Sequence, residues 1–352
     1  MAARLAMAEL LLSGCTTTTD HHYLFPAGLD EAIDLEIEEA RALGIRVVLT
    51  RGSMSLSRDD GGLTPREVVQ REDRILADCE RLIARHHNAR PGAMTQIALA
   101  PCSPFSVTPD LMRASAELAR RHGVRLHTHL AETADEDAWC RSRFGVRPLD
   151  YLDEVGWLDG RTWLAHGIWF DDNEVARLGR AGTAVCHCAS SNMILASGVC
   201  QAPQLEAAGA PVGLGVDGSA SNDHSNLMQE VRQAFLLQRL MHGIDRVSHR
   251  DALRWATTGS AACLGRPELG RIAVGAAADL ALFRLDEARF SGGRRAARGS
   301  RAVRRRPRRS GDGRSALGGG RRAAARARPR AAARRARRRR ACPAAGRLSA
   351  MR

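Results

Sequence analysis

The sequence predicts an α/β fold: a (β/α)8 barrel of the TIM type that lacks its first strand and keeps only a remnant of a small β domain. Strand-like and helix-like segments alternate along most of the 352 residues, which is typical of a parallel sheet. Nearly every polar residue of chemical interest falls just past the carboxyl end of a predicted strand, where such barrels have their active sites. An open doubly wound sheet would normally carry a glycine-rich phosphate loop, and SGCTTTTD is not one.

The first half of the chain supplies four predicted strands and four predicted helices. The helix at 30–43 shows the pattern best, with an apolar face at Ile33, Ile37 and Ala40 and a capping Gly44. The other helices are expected at 5–12, 65–86 and 109–121. The strands are expected at 16–19, 45–50, 96–100 and from 124 into the motif LHTHLAET, residues 126–133.

The second half adds three strands, so that the count is one short of eight. They are expected at 161–165, 183–186 and 211–216, with helices at 171–180, 225–241 and 249–264 and a β-like segment at 278–285. The eighth strand would precede Met1. The predicted organisation is an incomplete barrel at 1–265, a remnant of a small β domain at 266–291 and a disordered Arg/Ala-rich tail at 292–352.

Positive charge is concentrated at the end of the chain. The formal net charge is +14, but residues 292–352 hold 23 Arg and one Asp, or +22, so residues 1–291 carry 14 − 22 = −8. Such a tail cannot bury a core. One interpretation is a basic arm that binds nucleic acid or another anionic surface. The other, which we favour, is a GC-rich gene read out of frame, because all 53 basic residues are Arg and none is Lys.

Composition also bears on the compartment. No run of eighteen apolar residues occurs, and the start, MAARLAMAELLLSG, is short and carries Glu9 where a signal peptide would be apolar. The nine cysteines form no CxxC pair, which fits a reducing compartment. We therefore expect a cytoplasmic protein with no membrane partner. Cys186 and Cys188, on either side of His187, are of a residue type that can bind a metal, but we favour buried thiols on a strand.

Three residues of metal-binding types stand at the ends of three different predicted strands: His129, His166 and Asp217. Two imidazoles and a carboxylate suit zinc, or iron in the same geometry, with a water completing the shell. The pKa of such a water falls to about 7. Asp217 can take its proton, and Glu132 can pass a proton to a substrate. One such His alone is usually a hydrogen-bonded core residue, but the ordered set predicts a metal-hydrolase site.

The other histidines leave alternatives open. His21 and His22 are either rim residues or substrate contacts, with neither interpretation favoured. His127 shares a strand face with His129 and is the second choice as a ligand. The histidines on predicted helices are expected on solvated faces: His86, His87, His122, His242 and His249.

Several stretches resemble one enzyme family. HTHLAET, LAHGIWF, CHCASSNMILASG and VGLGVDGSASNDHSNLMQEVRQAFLLQRL are similar to the amidohydrolase superfamily, in the branch of guanine, S-adenosylhomocysteine and triazine deaminases. The 8-oxoguanine deaminases are the most similar group, through SGCTTTTDHHYLFP, TRGSMS, GGLTPREVVQREDRIL and LAPCSPFSVTPDLMRASAELAR. The resemblance covers roughly residues 5–291.

The resemblance implies a zinc-dependent deaminase that releases ammonia from an aminopurine such as 8-oxoguanine. His129 and Asp217 would be metal ligands, and Glu132 would be the proton shuttle. His166 would orient the attacking hydroxide or polarise the substrate. Arg51 and Ser103 would hold the oxygens and nitrogens of the purine. Association into a homo-oligomer is also implied, and the alternative function is a non-catalytic protein with a nucleic-acid-binding tail.

The sequence also departs from the family pattern. Family members begin with a small β domain and a first strand whose HxH motif supplies two ligands, and no residue here matches it. Arginines follow residue 291 where apolar strands would be expected. His22 stands where an apolar residue is usual, and CHCASSN lacks the usual Pro. We therefore expect a truncated or frameshifted chain with weak metal binding and little activity.

Overall fold

Seven parallel strands form one sheet, and their order in the sheet follows their order along the chain. The computed structural model describes residues 1–286. The strands are β1 (Thr17–His22), β2 (Arg46–Ser53), β3 (Thr95–Pro101), β4 (Leu126–Leu130), β5 (Thr162–His166), β6 (Ala184–His187) and β7 (Val212–Leu214). The predicted α/β class and parallel sheet are confirmed.

Helices follow or precede every strand in the described part of the chain. They are α1 (Ala2–Leu12), α2 (Ala32–Leu43), α3 (Glu72–His86), α4 (Pro109–His122), α5 (Ala134–Phe144), α6 (Pro148–Glu154), α7 (Asp172–Ala181), α8 (Ala189–Ile194), α9 (Ala202–Ala207), α10 (Leu227–His242), α11 (His249–Arg254) and α12 (Ser260–Cys263). Local chemistry sets their ends. Asp171 starts α7 with a capping box, and Gly44 ends α2 in the left-handed conformation, as predicted.

The sheet is strongly curled. Two strands separate β1 from β4, which would put them about 14 Å apart in a flat sheet with a spacing of about 4.8 Å. The imidazole of His21 on β1 nevertheless lies 4.4 Å from that of His127 and 4.6 Å from that of His129, both on β4. The inner face is therefore curved as in a barrel. Within residues 1–286, β1 and β7 are the edge strands and do not pair with each other.

Both faces of β2 are buried. On β2, Val47 and Leu49 belong to the core under the helices, whereas Val48 lies in a smaller inner cluster with Trp163. This division follows from the two-residue period of a strand and is typical of parallel sheets. Ile33 of α2 is 1% exposed in the outer core. Complete burial of each such side chain contributes about 1.5–3 kcal/mol.

The helix predicted at 65–86 is shorter than expected. A single 3-10 turn, Arg66–Val68, comes first, and the α-helix begins only at Glu72. The residues between them are extended because the Gln70 amide donates to the Met54 carbonyl at 2.9 Å. This tertiary hydrogen bond overrides a local pattern that favoured a helix.

The helix predicted at 249–264 is also interrupted. A π turn, Trp255–Gly259, separates α11 from α12. A Cβ atom on Gly259 would lie 2.0 Å from the Val212 carbonyl oxygen. The helix therefore packs directly on the backbone of β7, and only glycine fits at the contact.

The β-like segment predicted at 278–285 forms no strand within the described residues. It is held by side chains instead: Asp279 makes an ion pair with the buried Arg46, with 3.0 Å between Oδ2 and Nε. The predicted 266–291 remnant is therefore without strands as far as residue 286. The tail predicted at 292–352 lies outside the described residues. Within residues 1–286, no helix combines the length and apolar character needed to cross a membrane.

Candidate metal and proton-transfer site

Four predicted side chains meet at the carboxyl ends of β4, β5 and β7. One donor atom from each of His129, His166 and Asp217 lies within 4.8 Å of the others. His166 Nε2 is 3.7 Å from Glu132 Oε2 and 3.9 Å from Asp217 Oδ2. The rings of His129 and His166 are stacked with their centroids 5.3 Å apart. The geometry therefore brings together the residues that the sequence proposed as metal ligands and proton carriers.

The hydrogen bonds of the two imidazoles leave one nitrogen of each ring facing the site. His129 Nδ1 lies 2.7 Å from the Cys102 carbonyl, to which it donates. His166 Nδ1 lies 2.9 Å from Asn192 Oδ1. A proton on Nδ1 leaves a lone pair on Nε2, which is the form in which histidine binds a metal. Burial alone would lower the pKa of His129, but its hydrogen bonds at Cys102 raise that pKa above the usual value.

The carboxylate of Asp217 is held by three donors. Ser191 Oγ and Ser221 Oγ both donate to Oδ2, the latter at 3.2 Å, and the Gly218 amide donates to Oδ1 at 2.7 Å. Burial raises the pKa of Asp217, but the Ser191 hydrogen bond and the nearby imidazoles lower it more, so the net shift is downward. The side chain is therefore an anion at neutral pH and is available to a cation or a proton.

Backbone strain is concentrated at this site. His166 has φ of 71° and Asp217 has φ of 63°, both in the left-handed region that non-glycine residues rarely adopt. The strain has a geometric consequence on β5. Leu164 belongs to the outer core, so the two-residue period would turn His166 outward as well. The left-handed residue at the strand end turns the imidazole inward to the site.

Two further histidines fill the interior below the site. His21 Nε2 bonds the Ala100 carbonyl at 3.0 Å, and burial followed by repulsion from the neighbouring imidazoles holds its pKa well below the usual value. His127 Nδ1 bonds the Trp163 carbonyl at 2.8 Å and its ring stacks on that indole. Burial lowers the pKa of His127 to about 3. Of the two open alternatives for His21, its place in the interior fits a substrate contact better than a rim position.

His22 points the other way, to the helices. Its Nδ1 lies 2.7 Å from Glu36 Oε1 and its Nε2 lies 2.9 Å from the Leu24 carbonyl. Asp20, His22 and Glu36 are close enough to hold a cation. Both imidazole nitrogens are already used as donors, however, so this cluster is better described as a charged imidazolium between two carboxyl groups.

A cavity of about 390 Å³ opens between β1 and β7 and reaches the site. His129 and Asp217 line it at one end, and Trp163 and Cys186 line it deeper in the interior. Tyr23 also lines it, with its ring edge-on to His129 at 5.8 Å. Volumes of this order are typical of pockets for small organic ligands.

Arg51 and Ser103 are not placed as predicted. β2 continues to Ser53, so Arg51 shares the outward face with Leu49, and its guanidinium bonds Asp78 Oδ2 at 2.6 Å. Ser103 Oγ is buried and pairs with Ser106 Oγ at 2.6 Å. Neither residue lines the cavity. Neither Arg51 nor Ser103 therefore directs a hydrogen-bond donor into the cavity.

Two partners of the site were missed by sequence reasoning, Ser191 and Asn192. Both belong to the motif CHCASSNMILASG, which carried the resemblance but gave no role to these residues. The only signal available was their place just after a predicted strand. The orientation of α8 decides which of its side chains contacts His166 and which contacts Asp217. The spacing of residues along the chain does not determine that orientation.

The model of the amidohydrolase family matches residues 1–301. The chain belongs to the amidohydrolase family. This confirms the resemblance drawn from HTHLAET and the later motifs, and it accounts for polar residues at the carboxyl ends of parallel strands.

Two relatives that are similar to the chain are named as deaminases. It is 64% identical to the 8-oxoguanine deaminase of Pseudomonas aeruginosa over 292 residues, 83% of this chain and 65% of the relative. It is 37% identical to an isoxanthopterin deaminase of an unknown prokaryote over 310 residues, 83% of this chain and 64% of the relative. The chain therefore spans a little less than two thirds of the length of these relatives.

A solved structure with a bound metal is similar as well. The atrazine chlorohydrolase of Arthrobacter aurescens complexed with zinc aligns with a TM-score of 0.81 at 38% identity, over 84% of this chain and 66% of that one. The similarity supports a metal at the site formed by His129, His166 and Asp217 in this amidohydrolase chain.

Proposed function

We propose that this chain forms the metal-dependent site of a hydrolytic deaminase that releases ammonia from an aminopurine such as 8-oxoguanine. The proposal is carried by the convergence of His129, His166, Asp217 and Glu132 at one site, which His129 and Asp217 join to the cavity, in a chain 64% identical to an 8-oxoguanine deaminase. In the reaction, a carbon–oxygen bond forms from water at the ring carbon that bears the amino group. The carbon–nitrogen bond then breaks and ammonia leaves.

The donor set fits zinc. His129 keeps Nε2 free to bind the metal by donating from Nδ1, and Asp217 is ionised. His166 also donates from Nδ1, and its free Nε2 faces the site beside them. Zinc accepts imidazole and carboxylate ligands and would supply a hydroxide at neutral pH when bound. The zinc in the similar chlorohydrolase structure supports this choice over iron.

The proton carriers are Asp217 and Glu132. Asp217 can take the proton of the attacking water because its hydrogen bonds keep it ionised. Glu132 faces His166 at 3.7 Å, and its backbone amide donates to Glu136 Oε2 at 3.0 Å, which fixes the turn after β4. A carboxyl group so placed can protonate a ring nitrogen and then the departing amine.

The cavity gives the purine its place. Tyr23 and Trp163 line it with aromatic rings, and His21 and His127 add imidazole edges. A flat heteroaromatic ring can stack on such side chains while its amino-bearing carbon lies at the metal end. We propose that these four residues, rather than Arg51 and Ser103, contact the substrate.

The test measures ammonia and metal together. We expect zinc-supplemented protein to release ammonia from 8-oxoguanine above the blank, and Glu132→Gln to abolish the release while bound zinc, measured by elemental analysis, is unchanged. Glu154→Gln, at an exposed position on α6, is the matched control and should behave as wild type. Zinc-loaded protein that releases no ammonia from 8-oxoguanine or other aminopurines would overturn the proposal.

A further inference from the structure

One short helix supplies two neighbouring side chains to the candidate site. Ser191 Oγ on α8 donates to Asp217 Oδ2, and the next residue, Asn192, places Oδ1 2.9 Å from His166 Nδ1. Ser191 and Asn192 are 0% and 1% exposed. Both groups are therefore shielded from water and have few alternative partners.

The start of α8 is itself fixed from α10. Glu230, 1% exposed, accepts from the Ser190 amide at 2.9 Å and from Ser190 Oγ at 2.6 Å. A buried carboxylate that accepts two hydrogen bonds from one residue leaves that residue little freedom to move. The positions of Ser191 and Asn192 therefore depend on a rigid contact between two helices.

The surroundings of His166 distinguish its two neutral tautomers. With the proton on Nδ1, the ring donates to Asn192 Oδ1 at hydrogen-bond distance. With the proton on Nε2, the nearest acceptors are Glu132 Oε2 at 3.7 Å and Asp217 Oδ2 at 3.9 Å, both too far. Two carboxylates would still attract that proton if the Asn192 acceptor were lost, because small movements would bring them into range.

We propose that Asn192 is a positioning residue that holds His166 in its Nδ1–H tautomer, so that Nε2 presents a lone pair to the site. One consequence of this tautomer, for the role of His166 in catalysis, rests on the proposed deaminase function. The sequence left two roles for His166, orienting the attacking water and polarising the substrate. The Nδ1–H tautomer favours the first, because an unprotonated Nε2 can accept a hydrogen bond from the water but cannot donate one to a substrate.

The direct test is the nitrogen NMR spectrum of metal-free protein labelled with ¹⁵N-histidine, with the His166 signals assigned by their loss in His166→Gln. We expect a protonated Nδ1 and an unprotonated Nε2 in the wild type and in Asn192→Asp, which keeps an acceptor. In Asn192→Leu, or Asn192→Ala if leucine prevents folding, the proton should move to Nε2. Gln238→Leu is the control, since Gln238 contacts His187 at 3.2 Å, and should leave the His166 signals unchanged.

Two results would overturn the proposal: a wild-type His166 protonated on Nε2, or the same His166 spectrum in Asn192→Leu and Asn192→Ala as in wild type. In turnover, the loss variants should lower kcat about 10–100-fold with little change in KM, and Asn192→Asp should restore most of it. If the tautomer is as expected but wild-type protein makes no ammonia, the deaminase proposal fails and the role of Asn192 stands.

Discussion

Replacement of Ser191 by alanine should destabilise the protein in a pH-dependent way. The Ser191 hydroxyl is buried and donates to Asp217 Oδ2, which would keep only Ser221 Oγ at 3.2 Å. A hydrogen bond to a charged group contributes roughly 1.5–3 kcal/mol to the free energy of unfolding. Because the Asp217 side chain is 25% exposed, we expect the lower end of that range, about 1.5 kcal/mol at pH 7.

The sign of the pH dependence follows from the pKa of Asp217. Burial raises that pKa, but the Ser191 hydrogen bond, the two nearby imidazoles and the Gly218 amide together outweigh burial, so the folded-state pKa lies below its usual value. The contribution of ionised Asp217 to the free energy of unfolding is therefore present at neutral pH and is lost as the pH falls through the folded-state pKa. The hydrogen bond favours the ionised form, so the difference between wild type and Ser191→Ala should shrink toward acid pH.

Urea unfolding of metal-free protein, measured in steps from pH 7 to pH 2.5, tests this reasoning, because the loss is expected below the unfolded-state pKa of about 3.9. Ser13→Ala is the matched control, because Ser13 Oγ is buried and has only neutral partners: it donates to the Leu10 carbonyl at 2.7 Å and accepts from the Leu227 amide at 3.2 Å. Its loss should cost about 1 kcal/mol at every pH. A cost for Ser191→Ala that is the same at pH 7 and pH 2.5 would refute the charge-dependent role of this hydrogen bond.

Two further predictions concern stability. Gly259→Ala should lower the free energy of unfolding in urea by about 3 kcal/mol, because its Cβ would lie 2.0 Å from the Val212 carbonyl oxygen. The control Gly160→Ala, whose Cβ would have its nearest atom at 3.7 Å, should stay within about 0.5 kcal/mol of wild type. Equal costs for the two variants would contradict the close contact at Gly259. Burial lowers the pKa of His22, but Glu36, Asp20 and the Leu24 carbonyl together raise it more. The contribution of protonated His22 to stability is therefore complete below the unfolded pKa of about 6.5 and is lost as the pH rises through the folded value. His22→Gln should therefore destabilise more at pH 5.5 than at pH 8.5, and an equal effect at both would be the contrary result.

The parts of the site that follow from strand order could be predicted from the sequence. His129 and Asp217 meet because parallel strands end at one rim, and that rule needs only the approximate position of each strand. Predicting the direction of the Arg51 side chain also required the exact end of its strand. Its strand was predicted to end at residue 50, but it runs to Ser53, and the two-residue period then turns Arg51 outward to α3.

Long-range contacts account for the other differences. The segment at 65–86 has a helical pattern, but the Gln70 amide bonds the Met54 carbonyl, and the helix starts after it. The segment at 278–285 has strand-like composition, yet a strand also needs a neighbour to pair with, and none is available to it within residues 1–286. Neither the hydrogen bond nor the missing neighbour can be inferred from local propensity.

The orientation of the site residues comes from elements beside their own strands. The Cys102 carbonyl after β3 holds His129 of β4, and Asn192 after β6 holds His166 of β5. His166 would face outward by strand period and is turned inward by a left-handed backbone that costs on the order of 1–3 kcal/mol. That cost must be offset by contacts that exist only when the ring faces the site, of which the Asn192 hydrogen bond is the one within 3 Å. Changes in α8 should therefore disturb the chemistry as strongly as changes in the residues that face the cavity.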